Sequence, residues 1–362
     1  MEKAAEQNLI DPAHKKNFDF IDAIRCLAMI GIVMEHSVYN GTYIFEGFPP
    51  KHMLYICLIQ ISKFGTIAFF VLAGFLLGDK FTSYSSWQYF KRRLSSTFMP
   101  WLIWSLVLLV AILAQRYIAL HKSGDEFHFV PELISKIELV YLYTNYWFII
   151  NFMFCIAILL CFKKYLYSFW LGFSLLVFSL IYSINVYFEW FIPSHTIAIF
   201  GFIFYLWLGA ICNHYWNQLE QFFRKTNILI FVCLFLITFI WAVFDIARLM
   251  NARSVDPYNT LRLSNIFYSL ATLALLLKIR NFNFTKIIKP RQTTFGIYLI
   301  HYIFVVSLLP EIFRPFHLVP FQEMSVPFML LYIFIRFIIV YGLSLATIWL
   351  LNKTKLRWIV AL

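Results

Sequence analysis

The chain has 362 residues, of which 61% are hydrophobic, 20% aromatic and only 13% charged, and its mean hydropathy is +0.74. This balance excludes an ordinary soluble globular protein, and 42 Phe and 21 Tyr spread along the length leave no stretch polar enough for an aqueous domain. The net charge of +12 does not imply nucleic acid, since most Lys and Arg lie in short clusters between apolar runs, where topology and anionic membrane lipids account for them.

The N-terminal "MEKAAEQNLIDPAHKKNFDF" leads into a full-length apolar segment rather than a short cleavable one, so the first span is expected to be retained. Crossing a bilayer takes roughly 20 mostly apolar residues. Ten runs qualify, at 20–39, 54–78, 97–119, 139–162, 166–187, 195–214, 227–246, 260–278, 292–313 and 325–351. The expected fold is all-α, a polytopic bundle of about ten transmembrane helices forming one membrane domain over 1–362. Cys26, Cys57, Cys155, Cys161, Cys212 and Cys233 all fall within these runs, without metal-ligand spacing, and no metal site is expected.

Alternate loops differ in charge. The N-terminal segment, the loops holding "FKRR", "FKKY", "FFRKTN" and "KIRNFNFTKIIKPRQ", and the C-terminal "NKTKLRW" collect nineteen Lys and Arg; the opposite loops collect seven. This asymmetry places both termini, 1–19 and 352–362, in the cytoplasm. Four basic residues lie inside spans: Arg25, Lys63, Arg116 and Arg336. Lys63 and Arg116 lie near span ends and can snorkel, and Arg336 can tie helices together.

The first span also carries Asp22, Glu35 and His36. Ionised groups in a membrane helix cost about 2.5–3.5 kcal/mol each near its centre and tend to face a protein interior or a wet cavity. Arg25 and His36 are eleven positions apart, three turns plus about 20°, so they share a face about 16 Å apart along the axis and can present a cation and an imidazole to one cavity. Asp22, three residues before Arg25, can hold its guanidinium. Glu35 points about 100° away from His36 and reads as an interfacial acid. An anchoring pair and an interfacial histidine are the bland alternatives; the common face argues for a site.

These residues resemble the acyltransferase 3 family of membrane O-acyltransferases. "IDAIRCLAMIGIVMEH" is similar to its first span, with Arg25 and His36 matching an arginine–ten residues–histidine signature. "FGTIAFFVLAGFLLG" (64–78), "YFKRRLSSTFMPW" (89–101), "NYWFIINFMFCI" (145–156) and "TTFGIYLIHYIFV" (293–305) resemble later family segments in order. Two positions depart: Ala73 stands where the family has Ser, and Thr97 where it has Arg.

The resemblance implies a cytoplasmic acyl-CoA donor, acetyl-CoA by family preference, and a hydroxyl of an extracytoplasmic or lipid-linked carbohydrate or glycolipid as acceptor, in the cytoplasmic membrane of a bacterium. His36 would be the general base and Arg25 would contact the donor. Lys91, Arg92 and Arg93 would bind CoA phosphates, a role that suits guanidinium groups, or serve only as topology signals. Trp147 and Asn151 would line an acceptor groove or simply pack. Tyr298 and His301 would support the site, His301 in the cavity or in an interhelical hydrogen bond. Direct transfer and a transient acyl-His36 both stay open. The rival is a glycolipid or solute transporter, against which stands the lack of half-chain symmetry and of matched Gly- or Pro-broken spans.

Overall fold

The computed structural model describes residues 19–38, 48–83, 85–194, 198–280 and 282–360, and among these it is helical, with no strand. Most of the N-terminal segment, His195 and the last two residues of the tail lie outside the described residues. The helices are α1 (Asp19–Val38), α2 (Pro50–Ser62), α3 (Gly65–Ser83), α4 (Ser86–Arg93), α5 (Met99–Ser123), α6 (Phe129–Tyr143), α7 (Trp147–Cys161) and α8 (Phe169–Phe188). They continue as α9 (Ile199–His214), α10 (Trp216–Lys225), α11 (Ile228–Asn251), α12 (Leu263–Ile279), α13 (Thr285–Ile288), α14 (Pro290–Ile303), α15 (Leu309–Phe313) and α16 (Val326–Asn352).

Among the described residues, six helices are long and apolar enough to cross a membrane, or eight if each of two bent pairs is one span. The multi-pass membrane reading stands, but the ten runs differ in kind. α1 has the length yet carries four acidic or basic residues, Asp19, Asp22, Arg25 and Glu35, and α12 is a 17-residue helix. The 139–162 run is α6 and α7, bent by 60° at residues 144–146; α9 and α10 are bent by 84°.

The bend between α6 and α7 has neither Gly nor Pro. Side chains hold it open instead. Trp101 Nε1 donates to the Tyr146 carbonyl at 3.0 Å, Tyr146 Oη to the Leu299 carbonyl at 2.7 Å, and Asn145 Nδ2 to the Tyr298 carbonyl at 2.9 Å. Tyr298 Oη returns a hydrogen bond to the Asn145 carbonyl. Irregular backbone at membrane depth survives only where protein or a wet cavity satisfies it. Two further irregularities are π-helical segments, 94–98 ahead of α5 and 304–308 after α14.

The α1 helix packs against α2, α3, α14 and α16. Asp19 and Asp22 in its first turn complement the helix dipole. The backbones of α3 and α9 come close enough that a Cβ on Gly74 would meet the Leu206 carbonyl oxygen at 1.8 Å, and one on Gly209 the Val71 carbonyl oxygen at 1.9 Å. Arg262, counted as a loop charge from the sequence, is fully buried: it bonds Gln60 Oε1 at 2.8 Å and the Ala242 carbonyl at 3.1 Å, and lies 3.6 Å from Asp245. This network fastens the connection between α11 and α12 to α2.

Candidate active site

Two cavities lie end to end along α1. The first, about 280 Å³, is lined by Arg25, Lys80, Arg93 and Arg291 together with Thr97, Thr294 and apolar side chains. The second, about 220 Å³, is lined by His36, Glu35, Lys63, Thr144, Asn145, Trp147, Asp256 and Thr260, with Tyr143, Tyr258 and Tyr302. Ile32, Phe148 and Tyr298 line both, and so form the wall between them.

Each cavity is shaped by broken helix. Thr97 enters the first from the π segment before α5, and Val305 enters the second from the π segment after α14. Such bulges re-aim side chains that a regular helix would carry past the site. Thr144 and Asn145 reach the second from the bend between α6 and α7. Asp256 and Thr260 come from the α11–α12 connection that Arg262 fastens.

Beside the second cavity His36 Nδ1 lies 2.8 Å from Nε2 of His301, which is fully buried and lines neither cavity, and His301 Nδ1 lies 2.9 Å from the Ile297 carbonyl oxygen. The carbonyl can only accept, so His301 carries its proton on Nδ1 and offers Nε2 as acceptor. His36 must then donate from Nδ1. In neutral His36 the lone pair is therefore on Nε2, the atom suited to take a proton. Tyr302 sets its edge against His36, with centroids 5.3 Å apart.

Glu35 is paired rather than solvated. It accepts from Lys63 Nζ at 2.6 Å, and both side chains are largely buried. The 100° offset from His36 turns it toward the end of α2, where Lys63 caps the helix, rather than toward solvent. Lys63 therefore does not snorkel. Arg336 ties helices as expected, donating from Nε to the Ser37 carbonyl at the end of α1, 2.8 Å away.

In the first cavity Arg25 sits 3.7 Å from Asp22. Asp22 also accepts from Arg291, the second residue of α14, so one carboxylate holds two guanidiniums at the cavity. Arg93 lines this cavity and donates from Nε to Tyr89 Oη at 2.7 Å. Lys91 and Arg92 are exposed and line neither cavity. Trp147 lines the second cavity. Asn151 lines neither: it is buried, accepting a hydrogen bond from Cys155.

A family profile described as an acyltransferase domain matches residues 18–348. The chain belongs to the acyltransferase 3 family. Searches of the curated proteins and of the solved structures returned no match. The match makes this chain a multi-pass membrane acyltransferase, which needs an acyl donor and an acceptor. Both cavities of the acyltransferase lie within the matched residues. No group of three His, Cys, Asp or Glu suited to hold a metal occurs among the described residues.

Arg291, Lys80 and the Glu35–Lys63 pair escaped the sequence reading. Arg291 had a visible signal, because Arg291 and His301 are ten positions apart on α14, nearly repeating the Arg25–His36 spacing on α1. The two helices bring arginine beside arginine at one end and histidine beside histidine at the other.

Proposed function

We propose that this acyltransferase moves an acyl group, acetyl by family preference, from acyl-CoA in the Arg25 cavity to a hydroxyl of a carbohydrate or glycolipid in the His36 cavity. The observation that carries the reading is the pair of cavities meeting at Ile32, Phe148 and Tyr298, cationic on one side and imidazole-bearing on the other. The charge asymmetry of the loops supports a cytoplasmic position for the Arg25 cavity and for both termini, and an outer position for the His36 cavity, in a bundle of ten spans.

Arg25, Arg93 and Arg291 suit the phosphates and polar arm of the donor. The thioester reaches the wall, and the acceptor hydroxyl approaches from the opposite cavity. His36 Nε2 takes the hydroxyl proton as that oxygen attacks the thioester carbonyl; the C–S bond breaks, and the same nitrogen returns the proton to the departing thiolate. Trp147 and the neighbouring tyrosines offer aromatic faces to a sugar ring.

The test uses purified protein, labelled acetyl-CoA and fractionated envelope glycans and glycolipids. Label should enter a glycan or glycolipid fraction in the wild type and not in His36→Ala. Movement of an acceptor across a sealed vesicle without consumption of acetyl-CoA would instead establish a transporter.

A further inference from the structure

A third cavity, about 520 Å³, lies between the N-terminal end of α1 and the segment that leads from α12 into α14. Arg280, Lys286, Lys289 and Arg291 line it, with two carboxylates, Asp19 and Asp22. Arg291 is the one described residue that lines both this cavity and the Arg25 cavity.

The charges here are unequally matched. Asp22 is shared between Arg25 and Arg291, and Asp19 lies 3.7 Å from Arg291. Arg280 spends Nη1 on Glu220 at 2.8 Å, lies over the Trp216 ring 5.2 Å from its centroid, and leaves Nη2 with no hydrogen bond. Lys286 and Lys289 are exposed and have no carboxylate partner among the described residues. Lys289 also holds a left-handed backbone, with φ of 54°, to start α14 directly after α13. That conformation is uncommon for a residue with a Cβ and tends to persist at functional sites. The 14-residue α14 begins beside it, adding the partial positive charge of a helix N-terminus.

We infer that this cavity receives the phosphate-bearing nucleotide end of the acyl-CoA donor, with Lys286 and Lys289 on its phosphates and Arg291 at the junction where the acyl arm turns into the Arg25 cavity. The inference rests on the acyl-CoA reading above. It moves nucleotide recognition from Lys91 and Arg92, which line neither reaction cavity, to the approach to α14.

The test compares binding of CoA and of pantetheine, which lacks the nucleotide, to the full chain in nanodiscs of uncharged lipid. Lys286→Gln with Lys289→Gln should weaken CoA about tenfold, as lost charge-assisted contacts to phosphate would, and leave pantetheine unchanged. Lys91→Gln with Arg92→Gln should change neither. Both lysines are exposed, so the thermal transition should stay that of the wild type. Equal CoA affinity in the Lys286/Lys289 variant and the wild type overturns the inference and leaves the donor reading intact. Wild-type protein that binds no CoA overturns both. If the variant keeps its CoA affinity but loses binding to phosphatidylglycerol vesicles, the cavity holds a lipid headgroup and the inference fails.

Discussion

His36 and His301 face each other where α1 meets α14, their ring planes within 5° of parallel and their facing nitrogens 2.8 Å apart. One imidazole therefore fixes the tautomer of the other, a task more often given to a carboxylate.

On the proposed mechanism, removing His36 should stop the chemistry and removing His301 should slow it. His36→Ala should lose about 10²–10⁴-fold in kcat, the usual worth of general acid–base catalysis. His301→Leu should lower kcat by a smaller factor, change the pH profile of kcat, and leave the KM for the donor alone. Wild-type kcat in His301→Leu would refute the orienting role.

Asp22 holds Arg25 and Arg291 together at the Arg25 cavity, where the donor is proposed to bind. Asp22→Asn keeps the shape and removes the charge, so both guanidiniums should loosen. The KM for acyl-CoA should rise severalfold while kcat changes less, as steady-state kinetics will show. An unchanged KM would mean that the two arginines are held by the rest of the cavity.

Lys63 and Glu35 form a 2.6 Å ion pair beside His36. Lys63→Met strands a carboxylate and should cost about 2–3 kcal/mol of stability, less than a dry pair would because this one borders a cavity. Adding Glu35→Gln should recover most of that loss in chemical denaturation. A double variant as unstable as the single one would show that the lysine stem, not the charge pair, matters.

Gly74 and Gly209 set the distance between α3 and α9. Gly74→Ala or Gly209→Ala puts a methyl within 2 Å of a carbonyl oxygen and forces the backbones apart, a steric clash of the kind that costs about 1–3 kcal/mol or more in a packed core. Gly342→Ala, where an added Cβ meets nothing within 4 Å, should be neutral or stabilising by about 0.5–1 kcal/mol. Fluorescence-detected size exclusion after heating ranks the three; Gly74→Ala matching Gly342→Ala would disprove the close approach.

Much of this site was readable along one helix. The eleven-residue interval between Arg25 and His36 is a property of α-helical geometry alone; each residue lines a cavity, but the two line separate cavities rather than the one that a common face suggested. What stayed hidden depends on contacts between distant segments. The partner of His36 lies 265 positions away, and that of Glu35 lies 28 away at the end of a helix whose bounds hydropathy cannot fix. The bend at 144–146 was hidden for a different reason: it lacks the Gly or Pro that marks a break and is made by Trp101, Asn145 and Tyr146 reaching for carbonyls. Arg262 read as a loop charge because burial is not written in local composition.

The wall of Ile32, Phe148 and Tyr298 also bears on leakage, if the two cavities open to opposite sides of the membrane as proposed. A continuous aqueous bore wide enough for a thioester arm would leak ions across any membrane it spanned. On that proposal, the three side chains between the cavities would let the two substrates meet while the lipid barrier stays electrically tight.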